Sequence, residues 1–200
     1  MKQTSEISAA PFTDVWAIRG YNVQVFFTST CVMAMELVAS RLIAMTVGSS
    51  LYAWTSVIGV VLAGVTLGNF LGGWLADRNQ RERSLAWLYL FASVSCASVI
   101  WLDQVMKSLS RPSFLDWPLW IVTLVACVFL IPSLALGSIS PVIASMAVAR
   151  CRRVGATVGN VYAWGTLGSI LGTFLTGFYL IDLWGTAMII GVTAGTLGTM

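Results

Sequence analysis

Residues 51–78 read LYAWTSVIGVVLAGVTLGNFLGGWLADR. Residues 51–75 of this stretch contain no Asp, Glu, Lys or Arg. A helix rises 1.5 Å per residue, so about 20 apolar residues cross the roughly 30 Å of hydrocarbon in a bilayer. The stretch is long enough, and it ends on a charged pair, Asp77 and Arg78. Lipid offers the backbone no hydrogen bonds, so a spanning segment must satisfy its own, as a helix does. A barrel strand would show about 10 residues of alternating polarity. This run is longer and apolar all round. Gly64, Gly68 and Gly72 recur every fourth position, the spacing that lets helix backbones approach closely.

The whole chain shares this character. Hydrophobic residues make up 58% of the 200, charged residues 10%, and the mean hydropathy is +0.85. A soluble domain carries roughly 25% charged residues. The reading is an all-α integral membrane protein in the lipid bilayer. The net charge of +3 gives no ground for a nucleic-acid partner. The four cysteines, Cys31, Cys96, Cys127 and Cys151, form no CxxC pair and read as small packed side chains. There is no histidine. No metal site, no cofactor and no catalytic residue is expected in this chain. The polar N-terminus lacks the short apolar core of a cleavable signal.

Six spans are predicted, at about 23–46, 51–75, 84–102, 119–148, 157–181 and 186–200, with residues 1–22 as an N-terminal arm and 23–200 as the transmembrane domain. Pro132 and Pro141 predict a break or bend in the fourth. The last segment is short for a crossing, and a truncated helix is expected there. Lys2, Arg19, Arg78, Arg81, Arg83, Arg150, Arg152 and Arg153 lie on one side of this topology, and only Lys107 and Arg111 on the other. Positive charge marks the cytoplasmic side, so the N-terminus is expected there. Trp16, Trp54, Trp74, Trp101, Trp117, Trp120 and Trp184 fall near span ends, where tryptophan anchors at the headgroups. Asp103 and Asp116 read as solvated loop charges at the opposite end.

An internal repeat is suggested by a triplet. Tyr52–Trp54 opens the second span and Tyr162–Trp164 the fifth, each following a stretch of glycine and small residues. Gly168, Gly172 and Thr176 then form a small-residue row like that of the second span. Three spans separate the copies, which inverts one against the other, giving a 3+3 inverted repeat. The rows are expected to pack these two helices against each other, or to form a sliding surface or a dimer face.

The loop GGWLADRNQRERS, residues 72–84, resembles the major facilitator signature Gly-x-Leu-Ala-Asp-Arg-x-Gly-Arg-Arg. Gly73, Leu75, Ala76, Asp77, Arg78 and Arg81 match; Gln80 stands where the signature has glycine and Glu82 where it prefers a base. The resemblance implies that six spans form half of a major-facilitator-like bundle. It also implies that Asp77, Arg78 and Arg81 lock one conformation through charge and helix-dipole contacts.

A closer resemblance covers about residues 30–185. MELVASRLIAMTVGSSLYAW, LGNFLGGWLADR, ALGSISPVIASMAV and RVGATVGNVYAWGTLGSILGTFLTGFYLIDLWG are similar to the membrane domain of bacterial fused major-facilitator/spermidine synthase proteins, with Gly165 in place of a usual asparagine. That resemblance implies a bacterial inner-membrane module joined to, or partnered by, a cytosolic aminopropyltransferase. The chain holds neither the nucleotide loop nor the acidic set such an enzyme needs.

Glu36 and Arg41 interrupt the first span. An ionisable residue there is unfavourable by about 2.5–3.5 kcal/mol and usually marks a pathway or a pair. Five residues apart, they sit about 140° apart around a helix and are not expected to pair directly. Ser40 shares a face with Glu36. Arg41 is close enough to the span end to snorkel to the headgroups. Glu36, Ser40 and Arg41 are therefore the candidates for a cation pathway. The function expected is a polyamine-linked membrane module, the anchor or transport half of a spermidine synthase-like system, with a polyamine or other small cation as ligand. A homodimeric small-solute transporter and a structural subunit of a membrane complex are the alternatives.

Overall fold

The computed structural model describes residues 14–78, 81–108, 115–151 and 153–200, with side chains from Ile18 onward. The expectations placed on Lys2, Gln80, Arg111, Arg152 and the Trp16 side chain lie outside these. Every regular element among the described residues is helical. The helices are α1 (Asp14–Val47), α2 (Leu51–Ala76), α3 (Arg81–Lys107), α4 (Trp117–Ala149), α5 (Val154–Leu183) and α6 (Thr186–Gly198). The first five are long and apolar enough to cross a membrane. α6 has 13 residues, about 20 Å of helix. The chain is thus an all-helical, multi-pass membrane protein.

Two expectations are revised. α1 begins at Asp14, nine residues before the predicted span, so the second half of the expected arm is helix. α4 runs unbroken through Pro132 and Pro141. In a bundle, neighbouring helices and hydroxyl side chains tolerate the backbone groups a proline frees. α5 carries a π-helical turn at Thr176–Leu180.

Between α1 and α2 the chain turns at Gly48, whose φ of 86° is the left-handed conformation that glycine adopts without strain. Its N–H donates to the Ala44 carbonyl at 3.0 Å. Two residues on, the Ser50 hydroxyl accepts from Ala53 N–H at 3.2 Å and caps α2. The Gly-Ser-Ser run thus stops one helix and starts the next.

α4 is the centre of the bundle: half of its most apolar stretch is buried, against 17% of that of α5. Phe129, Ile121, Leu136, Ile139 and Ile143 of α4 are among the largest fully buried side chains. α2 makes its most extensive contact with α4, and α1 with α5. α3 packs on α4 and α6, and α6 also meets α1.

The glycine rows account for the two closest pairs. A Cβ on Gly64 would lie 2.6 Å from the Ser133 Cβ and 3.0 Å from the Leu130 carbonyl oxygen. One on Gly68 would strike the Leu134 carbonyl, and one on Gly72 the Ser138 carbonyl. On the other pair, Gly168 meets the Phe26 carbonyl and Gly172 the Thr30 carbonyl at 2.7 Å. The Thr30 hydroxyl donates to the Gly168 carbonyl at 3.0 Å, across the same seam. The expectation that α2 and α5 pack on each other is therefore corrected: the rows face α4 and α1 respectively. Small residues report how closely a backbone can come, not which helix comes.

Candidate functional site

Four helices, α1, α2, α4 and α5, border a groove of about 540 Å³. Its polar lining is Ser29 of α1, Asn69 of α2, Ser140 of α4, and Tyr162, Thr166 and Ser169 of α5. Thr166 is satisfied internally, donating to the Tyr162 carbonyl at 2.9 Å. Among the described residues, the side chains of Ser29, Asn69, Ser140 and Ser169 make no hydrogen bond. Hydroxyls elsewhere in these helices mostly bond the carbonyl one turn back, as Thr28, Thr46, Ser56 and Thr66 do. Groove residues thus present free donors and acceptors in an otherwise apolar layer. Val25, Val65, Pro141, Ala144 and Val161 supply its apolar wall.

Glu36 sits beyond the groove on the same stripes of α1, α2 and α4. Ser29, Val32 and Glu36 follow one another along α1, Val65 and Val61 along α2, and Ser140, Leu136 and Ser133 along α4. The carboxylate borders a gap of about 10 Å³ between Val32, Met35, Val61, Phe129, Pro132, Ser133 and Leu136. That is room for about one water. Among the described residues the Glu36 side chain has no hydrogen bond and no ion pair. Ser40 lies one turn away but donates to the Glu36 backbone carbonyl at 3.1 Å, not to the carboxylate. Arg41 is exposed on the outer face of α1 and lines neither the gap nor the groove. Glu36 and Arg41 are not brought together, as their angular separation required.

The arginine-rich end has its own chemistry. Arg81 Nε donates to the Ala76 carbonyl at 2.7 Å, capping the last turn of α2, where orphan carbonyls and the negative end of the helix dipole favour a cation. The Arg78 guanidinium stacks on the Trp74 ring at 3.8 Å. Asp77 is exposed at the helix end, and among the described residues its side chain has no partner. Of the three lock candidates, Arg81 makes the helix-end contact.

The pair that joins two helices here is one that sequence reasoning missed. Arg150, ending α4, reaches Glu82 in the first turn of α3 at 3.1 Å, and its guanidinium lies 5.3 Å from the Tyr21 ring centroid. The signal was present: an acid at 82, where the facilitator signature prefers a base, calls for a cation opposite. At the other end, Asp103 is not a loop charge. It lies within α3, nearly buried, and pairs with Lys107 at 2.5 Å. Asp116 flanks α4 without a capping hydrogen bond from its side chain. The groove was also missed, although Tyr162, Thr166 and Ser169 already form a polar stripe at helical spacing.

Among the described residues, no group of His, Cys, Asp and Glu could hold a metal ion. No family model matches the chain, and no curated protein and no solved structure matches it.

Proposed function

We propose that this chain is the solute-binding half of a polyamine-linked transport module in the bacterial inner membrane. One observation carries the reading: a groove lined by four unpartnered polar side chains lies on the same helix stripes as an unpaired carboxylate within the membrane layer. A carboxylate in hydrocarbon favours a cation or a proton. A linear diamine or polyamine suits a polar groove with an acid further along the same helix stripes. In this reading catalysis belongs to an aminopropyltransferase outside these residues.

The architecture proposed is six crossings in a 3+3 inverted repeat, half of a major-facilitator-like bundle, with the N-terminus cytoplasmic. Two features support it. Met200, just past α6, lines a pocket with Tyr21 and Glu82, so α6 returns to the arginine-rich end where α1 begins. A step of 104 residues relates the two close pairs: Gly64 meets Leu130 as Gly168 meets Phe26, and Gly68 meets Leu134 as Gly172 meets Thr30. The same step relates Glu36 in the gap to Ser140 in the groove. The Tyr-Ala-Trp triplets are 110 residues apart, six out of step, and so are not equivalent positions. The repeat rests on the glycine rows instead.

The test is uptake of radiolabelled putrescine and spermidine into proteoliposomes by wild type and Glu36→Gln. A loss of tenfold or more in the variant, with an unchanged elution profile and melting temperature, is the expected result. Equal uptake by both proteins, or none by either, removes the reading. The groove is open on one flank, which favours a second arrangement in which two copies enclose the path. Cross-linking in native membranes separates the two: a homodimer links through α5, whereas a module completed by another chain does not.

A further inference from the structure

A second cavity lies away from the groove. A cleft of about 740 Å³ opens at the arginine-rich end, between the start of α3 and the ends of α1 and α4. Three guanidinium groups line it, from Arg81, Arg83 and Arg150, against one carboxylate, that of Glu82. Arg81 uses its Nε on Ala76 and keeps its terminal amino groups. Arg150 is half committed to Glu82. Arg83 is exposed, and among the described residues it has no partner. The lining therefore carries an excess of two positive charges beside first-turn N–H groups of α3 that have no acceptor within the helix.

The cleft leads inward. A pocket of about 320 Å³ shares Tyr21, Glu82, Met146 and Arg150 with it and adds Leu85 and Gln24. Leu85, Ala86, Met146 and Met200 give that passage an apolar side. At its side the Oε1 of Gln24 is buried and has no hydrogen-bond partner. Charge outside, an apolar wall further in and one unfilled acceptor describe a ligand that is anionic at one end, apolar along its length, and able to donate a hydrogen bond. Arginine holds phosphate oxygens in bidentate geometry, and basic pockets at the ends of membrane helices suit phosphorylated headgroups.

We propose that this cleft binds the phosphate of an anionic glycerophospholipid from the adjoining leaflet. The phosphate rests among Arg81, Arg83 and Arg150, a headgroup hydroxyl donates to Gln24 Oε1, and the first chain methylenes lie along Met146 and Leu85. A free phosphate ester shares the charged part of this chemistry but leaves the apolar passage empty.

Native mass spectrometry of the full chain in nonionic detergent tests this, with short-chain phosphatidylglycerol, short-chain phosphatidylcholine and glycerol 3-phosphate as probes. Phosphatidylglycerol is expected to bind at one site at least tenfold more tightly than either of the others. Arg83→Gln/Arg150→Gln is expected to lose that margin, and Gln24→Leu to weaken phosphatidylglycerol several-fold without changing phosphatidylcholine. Arg153→Gln, a nearby cation outside the cleft lining, is expected to bind as wild type. If the double variant does not elute as a folded protein, Arg83→Gln alone decides, since among the described residues no contact depends on it. Equal affinity for the two lipids, or full binding by the arginine variants, overturns the site. Glycerol 3-phosphate binding as tightly as the lipid upholds a phosphate site but overturns the lipid as its source.

Discussion

At the scale of single residues, glycine and glutamate carry the information in different ways. Gly68 has no room for a side chain: an added Cβ would lie 2.9 Å from Ser138 N and still closer to the Leu134 carbonyl. Backbone cannot move aside as a side-chain tip can, so Gly68→Val is expected to destabilise the fold by about 2 kcal/mol or more. Gly59, in the same helix, has nothing within 4 Å of an added Cβ. Gly59→Ala is expected to be neutral, or to gain up to about 1 kcal/mol in helix propensity. Denaturation with SDS from mixed micelles measures both, and similar losses for the two variants would refute close packing at Gly68. The spacing of the rows was legible in the sequence because it encodes distance of approach. The partner was not, since no local spacing names a helix 66 or 142 residues away. Glu36 was legible as an anomaly in an apolar run. Its neighbours Phe129, Pro132 and Ser133 belong to α4 and could come only from the fold.

At the scale of helices, the sequence misled where it was read by the rules of water. A break or bend was expected at Pro132 and Pro141; the break is absent, and α4 runs through both prolines packed against α2 and α3. The polar residues after Asp14 read as an arm, yet they are helical, since composition reports the solvent around a backbone and not its conformation. α6 shows what a short helix needs. Ser93 on α3 donates to the Ala194 carbonyl at 2.7 Å, and a Cβ on Gly198 would lie 3.1 Å from the same hydroxyl. Ser93→Ala removes that tie, at a cost of about 1 kcal/mol. Amide exchange within Thr186–Gly198 is then expected to accelerate about fivefold while α2 and α4 are unchanged. Uniform acceleration through the bundle would show that the bond serves global stability instead.

At the scale of the whole molecule, the membrane class was legible because hydrocarbon imposes length and composition on every span at once. The cysteines offer a direct test of the proposed orientation. Cys31 and Cys96 are buried in the bundle, Cys127 is exposed part-way along α4, and Cys151 lies partly accessible just past α4 at the arginine-rich end. A membrane-impermeant maleimide is expected to label Cys151 in inverted vesicles and not in right-side-out ones, leaving the other three unmodified. Labelling of Cys151 from the outside would reverse the proposed topology. A permeant maleimide is expected to add none of the other three, because thiols within the bundle or in hydrocarbon do not ionise. The groove was the least legible feature, because four helices each contribute one or a few polar positions to it. No single one of them is unusual alone.

The seam between α1 and α5 also bears on how the protein is made. Thr30 and Gly168, joined across it, are 138 residues apart in the chain. At 5–20 residues per second the ribosome needs on the order of 10 s to deliver the second after the first. For that time α1 lacks the helix that packs against Phe26 and Thr30. Its partner is made long after it. α1 is apolar enough to wait in lipid as a separate helix, and the close glycine seam forms only when α5 arrives.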